Sequence, residues 1–255
     1  LQRTSYPGLE LSLHIAADWH NDPDALARCR DAVADADIIV VNMLFIDEHI
    51  RAILPALEAR KEHCDAIVGC IAAGEIVRLT RLGRFRLDRE ATGAMALLKR
   101  LKGSRKSDDQ ATSATAQMRM LRRIPQILKF VPGTAQDVRA YFLAMQYWLS
   151  GSDANIENLV RYLIESYADG PRRGLRRIRL AAPPVIYPDV GLYHPALAER
   201  ITDRLEALPR QEKPTGCVGV ILMRSYLLAG NAAHYDAVIT ALEATGLRVV
   251  PAFAS

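Results

Sequence analysis

Four signatures that would name a reaction are missing from the 255 residues. There is no GxxxxGK(S/T) loop to cradle nucleotide phosphates, and no GxGxxG follows a strand to seat a dinucleotide. HExxH, which sets two zinc-binding histidines on one helix face, does not occur, nor does GxSxG, which lifts a nucleophilic serine on a sharp turn. The segment GSRKS at 103–107 has the lysine of a phosphate loop but lacks the leading glycine at the required spacing. Any ATP-driven step must therefore come from another polypeptide. No apolar run approaches the roughly 18 residues that cross a bilayer, so no transmembrane segment is expected. Cys29, Cys64, Cys70 and Cys217 form no CxxC and no zinc-ligand spacing. They are expected to be reduced, mostly buried thiols of a cytosolic protein, and no metal site is expected. No basic stretch followed by an apolar core marks a secretory signal. The chain begins at Leu1 and not at Met, so a true N-terminus upstream is expected.

What is present is ordinary for a globular protein: 50% apolar and 24% charged residues, in a length that suits one or two domains. The net charge of +4 is mild but uneven. Arg172, Arg173, Arg176, Arg177 and Arg179 crowd into one stretch, and Lys99 to Lys106 forms a second basic patch. A solvated loop, a seat for acidic groups of a ligand and a dock for an acidic partner all remain open for the arginine cluster. Nucleic acid is not expected, because no recognisable nucleic-acid module accompanies it and few aromatics interleave.

Residues 9–82 alternate strand and helix patterns. Leu11, Leu13 and Ile15 share one face of a strand expected over 9–17. Asp22-Pro23 supplies an N-cap and a proline for a helix carrying Leu26, Cys29 and Val33. The apolar runs 38–45 and 66–71 read as parallel strands covered on both faces. Ile50, Ile53, Leu54 and Leu57 give the stripe of a helix between them, and 75–82 reads as a third helix. Residues 103–116 are polar enough for a flexible linker. Val138, Tyr141, Phe142, Met145, Trp148 and Leu149 form the broad face of a helix. A second helix follows with Asp153 as its expected cap. Residues 183–195 are extended and proline-rich, Ile201, Leu205 and Leu208 mark a short helix, and 210–216 a loop. A buried strand from Cys217, a turn, an amphipathic helix and a second strand close the chain.

That last stretch carries Arg224-Ser225 at the strand end, then Gly230, then His234-Tyr235 opening the helix, and Pro251 with Phe253 in the final strand. Upstream lie VRLTRLGRF at 77–85, Leu128-Lys129-Phe130, Ala135-Gln136-Asp137, QYWLSG at 146–151, Asn158, and Asp189, Gly191, Tyr193, His194 and Pro195. In this order the series resembles the large porphyrin-binding (H) subunits of magnesium chelatase and the related cobaltochelatase large subunits. Each motif is weak alone. Their succession along nearly the whole chain is specific, and the N-terminal part resembles the magnesium branch.

The resemblance implies an N-terminal fragment of a much longer subunit that binds protoporphyrin IX and receives Mg²⁺, both as substrates. ATP would be hydrolysed by the partner AAA+ I and D subunits, in the synthesis of chlorophyll or bacteriochlorophyll. It implies no tightly bound cofactor in this stretch, catalytic residues beyond residue 255, and an inactive fragment. The location implied is cytoplasmic, with peripheral association with photosynthetic membranes left open. The alternatives are a cobaltochelatase large subunit, or a non-catalytic module for porphyrin handover or subunit docking. The expected architecture is α/β. It comprises an N-terminal parallel α/β domain (1–102, its first strand-helix unit missing), the linker 103–116, a helical and extended region (117–210) and the truncated start of a second α/β domain (211–255).

The candidate porphyrin-binding residues are Arg224, Ser225, His234 and His194. Arg224 could clasp a propionate bidentately, with Ser225 donating to the same group; equally, Arg224 could pair internally with Asp236 or Glu243. His194 could accept a pyrrole proton near neutral pH or tie down its own loop. Tyr235 fits the apolar stripe of its helix with Val238, Ile239 and Leu242. Trp19, Tyr147 and Trp148 could stack on a macrocycle, while the helical spacing of Trp148 favours a place in a core.

Overall fold

The two apolar runs expected as parallel strands pair in that way, as β1 (Ile38–Asn42) and β2 (Ala66–Cys70), in register from Ile38 opposite Ala66 to Asn42 opposite Cys70. The computed structural model describes Tyr6, residues 8–88 and residues 123–254. It divides into one unit of residues 1–148 and 157–183 and a second of 149–156 and 184–255. The linker expected at 103–116 lies outside the described residues. The fold is the expected α/β type: two four-stranded sheets with helices between them in the sequence, each sheet mixed around one parallel pair.

In the first unit, β2 is buried along its whole length. Alternate residues of a strand point to opposite faces, and here they feed two cores. Ile67 joins Ile39 against α1 (Pro23–Asp35), α2 (Asp47–Arg60) and α3 (Gly74–Val77), through Cys29, Val33, Ile50, Ile53, Leu57 and Ile76. Ala66, Val68 and Cys70 face the other way, onto α4 (Thr134–Ser150) and α5 (Asp153–Tyr167), where Val138, Phe142, Tyr147, Leu159 and Leu163 are buried. Gly69 is required at its place in β2, because a Cβ there would lie 2.5 Å from the Ile76 carbonyl oxygen. Asp22 caps α1 as expected, its carboxylate accepting from the Asp24 amide at 3.0 Å.

Two expectations in this unit fail. Leu11, Leu13 and Ile15 form no strand; they are 57%, 85% and 55% exposed, and Ala16–His20 is a 3₁₀ turn. Apolar alternation supplies β propensity, but a strand also needs a ladder partner. The third helix stops at Val77, and Arg81–Leu82 is strand β3, which turns through Gly83-Arg84 into β4 (Phe85–Arg86). Gly83 takes φ +56°, as tight hairpins demand. Asp137 on α4 holds this turn: its carboxylate accepts from the Arg84 amide at 3.0 Å and from the Tyr167 hydroxyl at 3.1 Å. VRLTRLGRF and Ala135-Gln136-Asp137, distant in sequence, thus meet at one hairpin.

In the second unit the sheet order is β6-β5-β8-β7. It is built from β5 (Val190–Tyr193), β6 (Ile201–Thr202), β7 (Gly216–Met223) and β8 (Leu247–Ala254). Between β7 and β8 lie α6 (Arg224–Leu228) and α7 (Ala233–Ala244). β7 and β8 are parallel, β5 runs antiparallel to β8, and β6 antiparallel to β5. The core comprises Tyr193, Leu222, Ala232, Ile239, Val249 and Phe253. Gly191 lets the Phe253 ring lie against β5, since a Cβ there would come within 2.7 Å of it. The short helix expected at 201–208 is β6 followed by a 3₁₀ turn at Leu205–Ala207. β7 is not the buried strand expected: Cys217, Gly219, Ile221 and Met223 are exposed in alternation with their neighbours. The cap of α5 is Ser152, whose hydroxyl accepts from the Asn155 amide at 3.4 Å, with Asp153 in the first turn behind it.

Candidate functional site

β7 ends at Met223, and the three residues that follow open α6 at the carboxyl edge of the sheet. Arg224 turns inward and is buried. Its Nε donates to the Pro188 carbonyl at 2.8 Å and its Nη2 to the Tyr187 carbonyl at 3.2 Å. Of the alternatives the sequence left open, Asp236 and Glu243 are engaged by other groups. The Tyr193 hydroxyl donates to Asp236 Oδ1 at 2.5 Å, and Arg200 Nη1 donates to Asp236 Oδ2 at 3.1 Å and to the Tyr193 hydroxyl at 3.0 Å. Burial, and after it the Asp236 carboxylate, push the Tyr193 phenol upward in pKa. Arg224 thus fixes the proline-rich stretch to the sheet edge.

Ser225 and His234 are exposed, and Tyr226 is 40% exposed. The His234 ring lies 3.9 Å from that of Tyr235, and Tyr226 meets His234 edge-on at 5.4 Å. The Tyr235 hydroxyl accepts from the Met223 amide at 3.1 Å, which couples the start of α7 to the end of β7. The structure therefore gathers Arg224, Ser225 and His234 at one strand end, with a cluster of three rings beside them. Tyr226 belongs to no motif in the sequence, and its place two residues after Arg224 is the one signal that marks it.

His194 is buried, and both of its ring nitrogens are occupied. The Ala196 amide donates to Nδ1 at 3.2 Å, which leaves the proton on Nε2, 3.0 Å from Glu243 Oε1. The ring ties its loop to α7. In the arginine cluster, Arg172 pairs with Asp65 and Asp37, at 3.2 and 3.1 Å, and Arg176 Nε donates to the Ala168 carbonyl at 2.5 Å. These two anchor the segment within the first unit, while Arg173 and Arg177 face solvent. Among the described residues, no three His, Cys, Asp or Glu side chains converge to hold a metal ion, and no helix is long and apolar enough to cross a membrane.

Residues 1–142 match the family model described as "Domain of unknown function (DUF3479)", and residues 145–255 match "CobN/Magnesium Chelatase". The chain is 53% identical to the magnesium-chelatase H subunit of Cereibacter sphaeroides and 51% identical to that of Rhodobacter capsulatus, in each case over 98% of this chain and 20% of the relative. It thus spans about a fifth of the length of these curated relatives. A solved structure, the catalytic subunit of cobaltochelatase from Mycobacterium tuberculosis, aligns with 92% of this chain and 14% of its own at 17% identity and a TM-score of 0.39, a likeness too slight to carry an argument. With the model described as "Domain of unknown function (DUF3479)" matching its first 142 residues, more than half of its length, the chain belongs to the DUF3479 family, and over nearly all of its length it is similar to magnesium-chelatase H subunits.

Proposed function

We propose that this chain is part of a porphyrin-binding subunit of magnesium chelatase and supplies one wall of the porphyrin site together with surfaces for partner subunits. The observation that supports this reading most is the exposed ring cluster of Tyr226 and His234 beside Ser225, at the carboxyl end of β7. Open α/β sheets bind ligands at that end. A tetrapyrrole is flat and aromatic with carboxylate arms. The rings offer it edge and face contacts, and the Ser225 hydroxyl and the His234 ring can bond a propionate. Arg224 and His194, with their hydrogen bonds directed into the unit, act here as positioning residues.

In the whole subunit Mg²⁺ and protoporphyrin IX are the substrates. The AAA+ I and D subunits hydrolyse ATP, the product enters chlorophyll or bacteriochlorophyll synthesis, and the location is cytoplasmic. Insertion must strip water from Mg²⁺, which gives it up reluctantly, and remove two pyrrole protons. In this reading those steps fall outside the 255 residues, as the family resemblance implies.

The test is a fluorescence-quenching titration of the chain with a soluble protoporphyrin analogue, Trp19 and Trp148 reporting. Saturable binding that Ser225→Ala and Tyr226→Ala each weaken up to about tenfold is expected. A folded chain that ignores porphyrin but retains the AAA+ subunits would be a docking module, and the porphyrin assignment would fall.

A further inference from the structure

Among the described residues, the helical cover of the second unit's sheet lies on one side. Val218, Val220, Leu222, Val249 and Phe253 point toward α7. The register places Ile221 opposite Ala252, Met223 opposite Ala254, and Ala254 opposite Val190, all on the other side. There Ile221 is 89% exposed, Val190 68% and Met223 60%. A parallel pair is normally buried on both faces, because crossover helices lie on them. Along its outer edge, β7 has no neighbour among the described residues.

Topology identifies what belongs on this face. A crossover between parallel strands is right-handed, and the step from β7 to β8 places α7 on one face. β8 already has β5 and β7 as neighbours. A further parallel strand with a long edge to join finds it beside β7, since β6 offers two residues and β7 eight. Reaching that edge from β8 reverses the lateral step, so a right-handed connection must pass over the opposite, bare face. A helix on this path runs antiparallel to the strands, and its carboxyl end lands at the start of β8. Arg248 sits there with its Nε buried and without a hydrogen-bond partner among the described residues, lining a cleft of about 330 Å³ with Arg210, Gln211 and Glu206. Guanidinium groups suit the carbonyls and the negative dipole end of a helix C-terminus.

We propose that the bare face is the seat of an amphipathic helix, followed by a strand paired with β7, supplied by polypeptide that the longer relatives carry beyond the matched stretch. The chain matches 20% of their length, which leaves ample sequence for this cover. The proposal is independent of the porphyrin reading. The same reversal makes the carboxyl ends of β7 and β8 a topological switch point, the place where such sheets form ligand crevices, and Ser225 and Tyr226 stand at it.

Cys217 lies on the bare face and is exposed, whereas Cys29, Cys64 and Cys70 are buried. Maleimide labelling, read by peptide mass spectrometry, therefore reports cover directly. Two proteins are compared: the 255-residue chain, and the full-length Cereibacter sphaeroides protein in which this chain replaces the matched stretch. Rapid labelling of Cys217 in the first and protection of about tenfold or more in the second is expected. Equal labelling in both overturns the proposal. Protection in the 255-residue chain that grows with its concentration assigns the face to a second copy, and also overturns it. As a second measure, Ile221→Lys should leave the melting temperature of the 255-residue chain unchanged and lower that of the full-length chimera. A neutral result in both contradicts the seat.

Discussion

β2 and β7 are both members of parallel pairs, yet one is buried at every residue and the other is exposed at every second residue, with only Leu222 fully buried. β2 lies between two helical layers, and each of its faces has its own core. β7 has α7 on one side, and on the other its Ile221 and Met223 side chains are exposed. The contrast teaches that an apolar strand sequence records the cover a strand is built for, while its exposure records the cover it has. CVGVILM is as apolar as AIVGC, and only the second is enclosed.

The largest effect that would break this comparison is truncation on each strand. Ile67→Ala should cost about 2–5 kcal/mol, the range for a buried isoleucine that leaves a cavity. Ile221→Ala, at an exposed position, should stay within about 0.5 kcal/mol. Urea denaturation of both variants checks this, and similar costs would refute the contrast. Next come the glycines. Gly69→Ala drives a methyl group into the Ile76 carbonyl and should cost about 1–3 kcal/mol. Gly219→Ala meets nothing within 4 Å and should be neutral or slightly stabilising in the same assay.

A comparable loss is expected for Asp137→Ala. It strips the Arg84 amide and the buried Tyr167 hydroxyl of their acceptor, at about 1–3 kcal/mol. Tyr167→Phe should cost less, and thermal melts of the two variants rank them. The smallest effect is in acid. Asp22, Glu62 and Asp88, all in the first unit, are held below ordinary carboxylate values by hydrogen bonds from Arg28, Arg86 and Lys61 respectively. Their folded pKa values are depressed, so their contribution is present above about pH 4 and lost as pH falls through the lower folded values. Urea denaturation repeated at decreasing pH should show stability falling through this range. Asp88→Asn should flatten part of that slope.

The elements legible in the sequence were those whose signal is local. Ile50, Ile53 and Leu57 mark α2 by spacing alone, and Asp22-Pro23 marks the start of α1. The short strands β3, β5 and β6 were not legible. Two to four residues carry no period, and pairing with a distant strand creates them. Leu9 to Ala17 shows the converse, a clear alternation for which the fold provides no partner strand. At the candidate site, Arg224, Ser225 and His234 could be placed at one strand end because the turn and helix between them are short. The Arg224 bonds to residues 187 and 188, and the His194 bond to Glu243, join parts of the chain 36–49 residues apart. No sequence pattern announces these partners.

The central claim is that the two sheets of this chain are enclosed to different degrees. Amide hydrogen exchange on the 255-residue chain, resolved to single residues, tests it most directly. The account predicts uniformly slow exchange along Ala66–Cys70, and fast exchange at those amides of Gly216–Met223 that point away from β8. Uniformly slow exchange along both strands would contradict it.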